Sequence, residues 1–202
     1  AAERDFRFPG TDIPSSLVMF TQARDLVDNP DARTGIAVKS VPDLRWKRRD
    51  IKSIALLAQV LAKQEAAAAG CAEAWMVEDG FVTEGASSSA FIITRQRALI
   101  ARPLGHEILP SVTRISVLKL AEEQDLKIES RRFSLQEAHD AQEAFNCSAG
   151  GLVMPVICID GSNIGQGVPG DITKRLRQIY IEHARQTVIS NNNSYIRSFP
   201  DI

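Results

Sequence analysis

Apolar and polar positions along this chain change between a two-residue and a helical period, and the changes mark out a mixed set of elements. Short runs rich in Val, Ile, Phe and Ala predict strands at Gly35–Val41, Glu73–Val77, Phe81–Thr83, Ala90–Thr94, Ala98–Ala101, Leu126–Arg131 and, most strongly, Val153–Ile159. Leu17–Phe20 (LVMF) is a further candidate strand in an otherwise irregular first forty residues. Asp79-Gly80 marks a hairpin turn, Arg95-Gln96-Arg97 joins a second strand pair, and Asp160-Gly161 ends a run. Ile54, Leu57, Ala58 and Leu61 recur at helical spacing, which predicts a helix over Ser53–Ala69 stopped by Gly70. A second helix is expected from Ser111 to Gln124. Ser134-x-x-Glu137 forms a capping box opening a third toward Ala144, and a last helix starts near Asp171 and fades by Arg185 into a loose Asn-rich tail.

Strands interleaved with helices and closed by tight hairpins indicate an α+β architecture rather than a doubly wound sheet. Pro9-Gly10, Pro14 and Asn29-Pro30 break the first forty residues, and the Asp28–Asp31 cluster is the best linker candidate. At 202 residues, with 44% apolar and 24% charged positions, the chain has the composition of an ordinary globular domain. A formal net charge of -1 argues against nucleic acid or an anionic membrane surface as partner, and no apolar run approaches a membrane span. Cys71, Cys147 and Cys158, odd in number and without a C-x-x-C pair, suit reduced thiols in a cytoplasmic protein. The chain starts on Ala, and residues upstream of it are expected.

Gly165, Gly167 and Gly170 spell G-x-G-x-x-G, but the chain ends one helix later, too soon for a βαβ unit. Pro169 also lacks an N–H for a phosphate, so a glycine-rich turn is the better reading. His106, His139 and His183 show no zinc-ligand spacing, and no metal is assigned.

Asp43–Ser53 (DLRWKRRDIKS) carries the most information. On pattern alone Arg45, Lys47, Arg48 and Arg49 form a solvated charge run. Lys52 stands between Ile51 and Ile54 where an apolar helix is expected, which turns its stem toward the interior.

With Leu61–Glu65 (LAKQE), Val82-Thr83-Glu84-Gly85 and its serine run, Ile108–Arg114 (ILPSVTR), Val153–Val156 (VMPV) and Ile159-Asp160-Gly161, this segment resembles the D-amino-acid transaminase branch of the fold-type IV pyridoxal-phosphate (PLP) enzymes. The blocks follow in family order from about Arg4 to Arg185. The resemblance implies a large C-terminal PLP-binding domain over 35–187, a remnant of the N-terminal small domain over 1–28, a linker over 29–34 and a tail over 188–202. It implies that Lys52 carries the cofactor as a Schiff base and moves protons in catalysis; such a lysine must shed its proton, and burial favours that. Glu84 is implied as partner of the ring nitrogen and Leu109 as packing on the ring. Val112 and Thr113, at a helix start suited to a phosphate, are implied as phosphate ligands together with Ser148 and Ala149. Ser88 and Gly150 are implied as substrate contacts.

The chain departs from the family pattern at Ser89 (commonly Asn), Ser111 (commonly Gly) and Gly150-Gly151 (commonly hydroxyl residues). Family members also carry a further domain upstream that supplies a phosphate-binding arginine and much of the carboxylate trap. The implied activity is transfer of the amino group of a D-amino acid, D-alanine foremost, to a 2-oxo acid such as 2-oxoglutarate by a cytoplasmic homodimer. Branched-chain transaminase, aminodeoxychorismate lyase and a PLP-binding fragment without turnover are the alternatives.

Overall fold

The computed structural model describes residues 5–195 of the chain. A short helix α1 (Pro30–Thr34), capped by the Asn29 side chain, leads into β1 (Ile36–Pro42). Then follow α2 (Leu57–Ala68), β2 (Glu73–Glu78), β3 (Phe81–Gly85), β4 (Ser89–Ile93), β5 (Ala98–Ala101), α3 (Val112–Glu122), β6 (Lys127–Ser130) and α4 (Leu135–His139). The chain closes with β7 (Glu143–Ser148), β8 (Leu152–Ile159), β9 (Ser162–Asn163) and α5 (Asp171–Tyr195).

The nine strands among the described residues join one sheet in the order β3-β2-β1-β8-β7-β4-β5-β6, with β9 on β8. β1 runs parallel to both β2 and β8, and β5 parallel to β6, while the remaining pairs are antiparallel. This mixed sheet is the expected α+β architecture. It curls: β3, at one end of the order, passes directly into β4 near the other, and the two strands touch.

Alternate side chains serve separate apolar layers. Ala90 and Ile92 face the inside of the curl with Val38, Trp75, Val82, Phe133 and Val156. Phe91 and Ile93 face the opposite way, with Phe145, Val153, Val117 and Leu176, where α3 and α5 cover the sheet. Phe91 stacks on Phe145 at 4.8 Å between centroids. A smaller layer, Val41, Ala62, Ala66, Ala74 and Met76, lies under α2.

Several expectations need correction. Leu17–Phe20 is not a strand; its side chains are exposed and its backbone pairs with nothing among the described residues. The first long helix begins at Leu57, not Ser53, because Ser53 Oγ takes the N–H of Ala55 at 3.1 Å and turns the chain locally. The third helix, opened by the Ser134–Glu137 capping box, ends at His139; Asp140–Gln142 form a turn, and Glu143 and Ala144, expected at the helix end, open β7. That strand is buried on both faces, so it shows no clean alternation. The expected linker contains α1. The last helix runs on to Tyr195 rather than fading at Arg185, and 196–202 of the expected tail, like 1–4 of the expected remnant, lie outside the described residues.

The G-x-G-x-x-G run is a turn, as its context implied. Gly165 and Gly167 adopt φ of 54° and 70°, and a side chain on Gly165 would meet the Gln142 carbonyl at 2.3 Å.

Candidate functional site

Parallel pairing carries β1 past its last residue, where Asp43 N–H donates to the Val77 carbonyl at 2.9 Å. That places Asp43 beside Thr83 and Glu84 at the end of β3. Arg45 bridges them. Its Nε and one terminal nitrogen donate to the two Asp43 oxygens at 2.9 and 2.7 Å, and its other terminal nitrogen donates to Glu84 Oε1. Thr83 Oγ1 donates to Asp43 at 2.6 Å. Arg49 stands 3.4 Å from the same carboxylate and donates to Glu78 at 2.9 and 3.1 Å. The side chains of Asp43, Arg45, Glu84 and Arg49 are 0, 6, 7 and 1% exposed.

This dry setting splits the two carboxylates. Burial pushes Asp43 up, but the hydrogen bonds from Arg45 and Thr83 outweigh it and hold it below its ordinary value. For Glu84 burial wins: its carboxyl stays above its ordinary value despite the Arg45 charge and the Leu109 N–H. A cation brought against Glu84 is therefore strongly favoured.

Leu109 donates its N–H to both Glu84 oxygens, at 3.3 and 3.2 Å, and so ties Glu84 to the start of α3. Ser111 caps that helix, its side chain taking the Arg114 N–H and its carbonyl the Ile115 N–H. The N–H groups of Val112 and Thr113 are left without an intrahelical partner, as in any first helical turn. Val112 is exposed and Thr113 buried. Buried Arg114 donates to the Arg102 carbonyl at 2.6 Å.

The remaining residues implied for the site lie where β4 and β7 meet. Ser89 pairs with Cys147, which puts Ser88 and Ser148 beside each other at the ends of adjacent strands. Ser88 donates to Glu73 at 3.1 Å. Ser148 Oγ accepts the Gly151 N–H at 3.0 Å, closing the turn that exposes Ala149 and Gly150. A side chain on Gly150 would meet nothing within 4 Å. Buried Arg177 of α5 supports this turn from beneath, donating to the carbonyls of Gly151 and Val153 and also to those of Leu26 and Val27.

Lys52 is where the sequence reading and the structure part. It lies on the loop from β1 to α2 and is exposed, as are Ile51 and Ile54. The expected burial of its stem depended on a helix starting at Ser53, and the helix starts one turn later. The loop is nevertheless joined to the site: Arg49 N–H donates to the His106 carbonyl, on the segment that leads to Leu109. The charge run is likewise not uniformly solvated, since Arg45 and Arg49 are buried while Lys47 and Arg48 are not. Nothing in the local pattern separates these two arginines from their neighbours; Asp43, two residues before Arg45, is the nearest signal. Among the described residues no helix is long and apolar enough to cross a membrane, and no group of three or more His, Cys, Asp or Glu could hold a metal ion.

Comparison with known proteins places this arrangement. A family model, amino-transferase class IV, matches residues 2–159. D-alanine aminotransferase of Bacillus licheniformis is 39% identical over 147 residues, 73% of this chain and 52% of the relative. That of Staphylococcus aureus (strain N315) is 34% identical over 177 residues, 88% of this chain and 62% of the relative. The chain thus spans about half to three fifths of the length of these relatives. Among solved structures, a branched-chain amino acid aminotransferase from Escherichia coli aligns with a TM-score of 0.65 at 26% identity, covering 74% of this chain and 52% of that one. The Thermobaculum terrenum branched-chain enzyme in its PLP form aligns at 0.67 and 32%, covering 73% and 50%. Because the family match runs through every strand from β1 to β8, the chain belongs to the class IV aminotransferases.

Proposed function

We propose that this chain forms the cofactor-binding part of a PLP-dependent transaminase that moves the amino group of a D-amino acid, D-alanine foremost, to a 2-oxo acid such as 2-oxoglutarate. The observation that carries the reading is Glu84: a buried carboxylate tied by Leu109 N–H to the open first turn of α3. The residues fit the cofactor. Glu84 offers a carboxylate to a protonated ring nitrogen, Leu109 an apolar face beside it, and Val112 and Thr113 offer N–H groups at a helix start for the phosphate. Ser148 and Ala149 add a hydroxyl and an exposed turn at the neighbouring strand end. When bound, PLP supplies an aldehyde that accepts the amino group and a ring that withdraws electrons from the substrate α-carbon.

The chain's own residues then have distinct tasks. Lys52 would hold the cofactor through its side-chain amine, and that amine would move a proton at the substrate α-carbon. Ser88 and Gly150 border the substrate, with Gly150 leaving open space beside it. The exposure of Lys52 among Leu44, Trp46, Ile51, Ile54, Leu56 and Leu57, all large and exposed, supports an assembled protein that covers this face. We assign that cover to a homodimer. The free thiols Cys71, Cys147 and Cys158 suit a cytoplasmic location.

The R-W-K-R-R-D-I-K-S segment and the identity to D-alanine aminotransferases favour a D-amino acid, while the structural likeness to branched-chain enzymes supports the alternative substrate. Borohydride reduction of the PLP-loaded protein, followed by peptide mass mapping, is expected to leave a pyridoxyl group on Lys52. The yellow band is expected to bleach with D-alanine and not with L-valine. A label on another lysine sinks the site assignment, and bleaching by L-valine alone transfers the reading to the branched-chain class.

A further inference from the structure

Arg45 touches Glu84, yet its guanidinium is committed first to Asp43. Two of its donors, Nε and a terminal nitrogen, lie on the two Asp43 oxygens at 2.9 and 2.7 Å, a planar fork-on-fork pairing that leaves the remaining terminal nitrogen directed at Glu84 Oε1. Asp43 is itself held, by Thr83 Oγ1 at 2.6 Å and by Arg49 at 3.4 Å, so the fork has little freedom to rotate. Asp43 and Arg45 leave the end of β1 two residues apart, whereas Glu84 leaves the end of β3. The pairing therefore locks two strand ends as well as two charges.

We propose that Arg45 is a positioning residue for the reaction: gripped by Asp43, it orients the Glu84 side chain and keeps it ionised. The proposal rests on the reading of Glu84 as partner of the cofactor's ring nitrogen. The charged groups facing Glu84 are Arg45 and Asp43 after β1 and Arg114 on α3. Asp43 opposes the Glu84 charge. Arg114 favours it from a distance but gives its hydrogen bond to the Arg102 carbonyl. Arg45 alone among them is bonded to Glu84, and it is the neighbouring charge that most strongly opposes the burial favouring the neutral acid. An anionic, oriented Glu84 holds a proton on a ring nitrogen; a neutral one does not.

Infrared difference spectroscopy tests this on the intact protein, both loaded with PLP and stripped of it, by following the protonated-carboxyl band that Glu84→Gln abolishes. In Arg45→Gln that band is expected to appear at a proton concentration about tenfold lower than in the parent. Arg45→Lys, which keeps the charge but not the fork, is expected to fall between. Turnover supplies a second arm: Arg45→Gln is expected to cost activity in the parent and to cost nothing further when Glu84 is already Gln. Titration of both Arg45 variants at the parent's pH overturns the proposal, as does an undiminished further loss in the Glu84→Gln background. If Arg45→Gln does not fold, Arg45→Lys decides, an unchanged titration again overturning the idea. Failure of the transaminase reading shows elsewhere, as a wild-type protein that takes no pyridoxyl label on Lys52, and leaves the carboxyl titration of the stripped protein intact as a test.

Discussion

Trp75 on β2 donates its indole N–H to the side-chain oxygen of Asn146 on β7 at 2.7 Å, and both residues are buried. In the order of the sheet β1 and β8 lie between these strands. Laid flat, strands three places apart stand about 14 Å from one another. The bond therefore spans the concave side of a curled sheet, and Trp75 fills that space with Phe133 edge-on at 6.0 Å.

Removing the donor leaves a buried acceptor unpaired and opens a void. Trp75→Phe is expected to destabilise the chain by roughly 2–4 kcal/mol, the orphaned Asn146 accounting for about 1–3 of it. Urea unfolding of the single and double variants checks the coupling. Asn146→Ala should cost less in Trp75→Phe than in the parent, and equal costs would show that the bond contributes nothing.

Gly170 and Glu143 form a second dependence. The Glu143 carboxylate caps α5, accepting the N–H groups of Ile172 and Thr173 at 3.1 and 2.8 Å and the Thr173 hydroxyl at 2.7 Å. A side chain on Gly170 would lie 1.9 Å from Glu143 Cδ. Gly170→Ala is expected to dislodge this cap at a cost of about 1–2 kcal/mol. Glu143→Gln, which retains the acceptor but not the charge, should lose less. Calorimetric melts of both decide it; an unshifted Gly170→Ala transition refutes the steric argument.

These two contacts show where the sequence was readable and where it was not. The strands facing two layers, the Asp79-Gly80 hairpin and the Ser134–Glu137 capping box were legible because local periodicity and turn chemistry determine them. β7 was not, since both of its faces are covered and its neighbours β4 and β8 come from distant segments. Glu84 as a candidate followed from motif resemblance. Arg45 did not, because a charge run reads alike whether solvated or buried, and only β2, which pairs with both β1 and β3 and brings their ends together, decides which. The exposure of Lys52 had no local signal either: Ser53 turns the chain and delays the helix that was to bury its stem.

Cys147 should be chemically silent. Burial pushes its thiol up to about 12, the Arg114 charge notwithstanding, so hardly any thiolate forms near neutrality. Cys71 and Cys158 are only partly buried. With iodoacetamide at about pH 8, native protein is expected to gain label on Cys71 and Cys158 while Cys147 stays unmodified until denaturant is added. Mass mapping at timed intervals reads this directly. Labelling of Cys147 at the rate of the other two would mean that the β4–β7 end of the site opens readily.

Acid sensitivity should centre on Glu78. Hydrogen bonds from Arg49 and Lys47 lower its carboxyl from an ordinary 4.5 to about 2. A folded-state value below the unfolded one gives stability that is present in full above pH 4.5 and is lost as pH falls toward 2. Lys47 is largely exposed and contributes little, whereas Arg49 is 1% exposed and also reaches Asp43, so the Arg49 bond supplies most of the effect. Glu78→Gln is expected to lower stability at neutral pH by roughly 1–3 kcal/mol. Because other carboxylates titrate over the same range, the informative quantity is the difference between parent and variant. It should shrink steadily as pH falls from 4.5 to 2. A difference that stays constant across that window would mean that the Arg49 contact does not depend on the Glu78 charge.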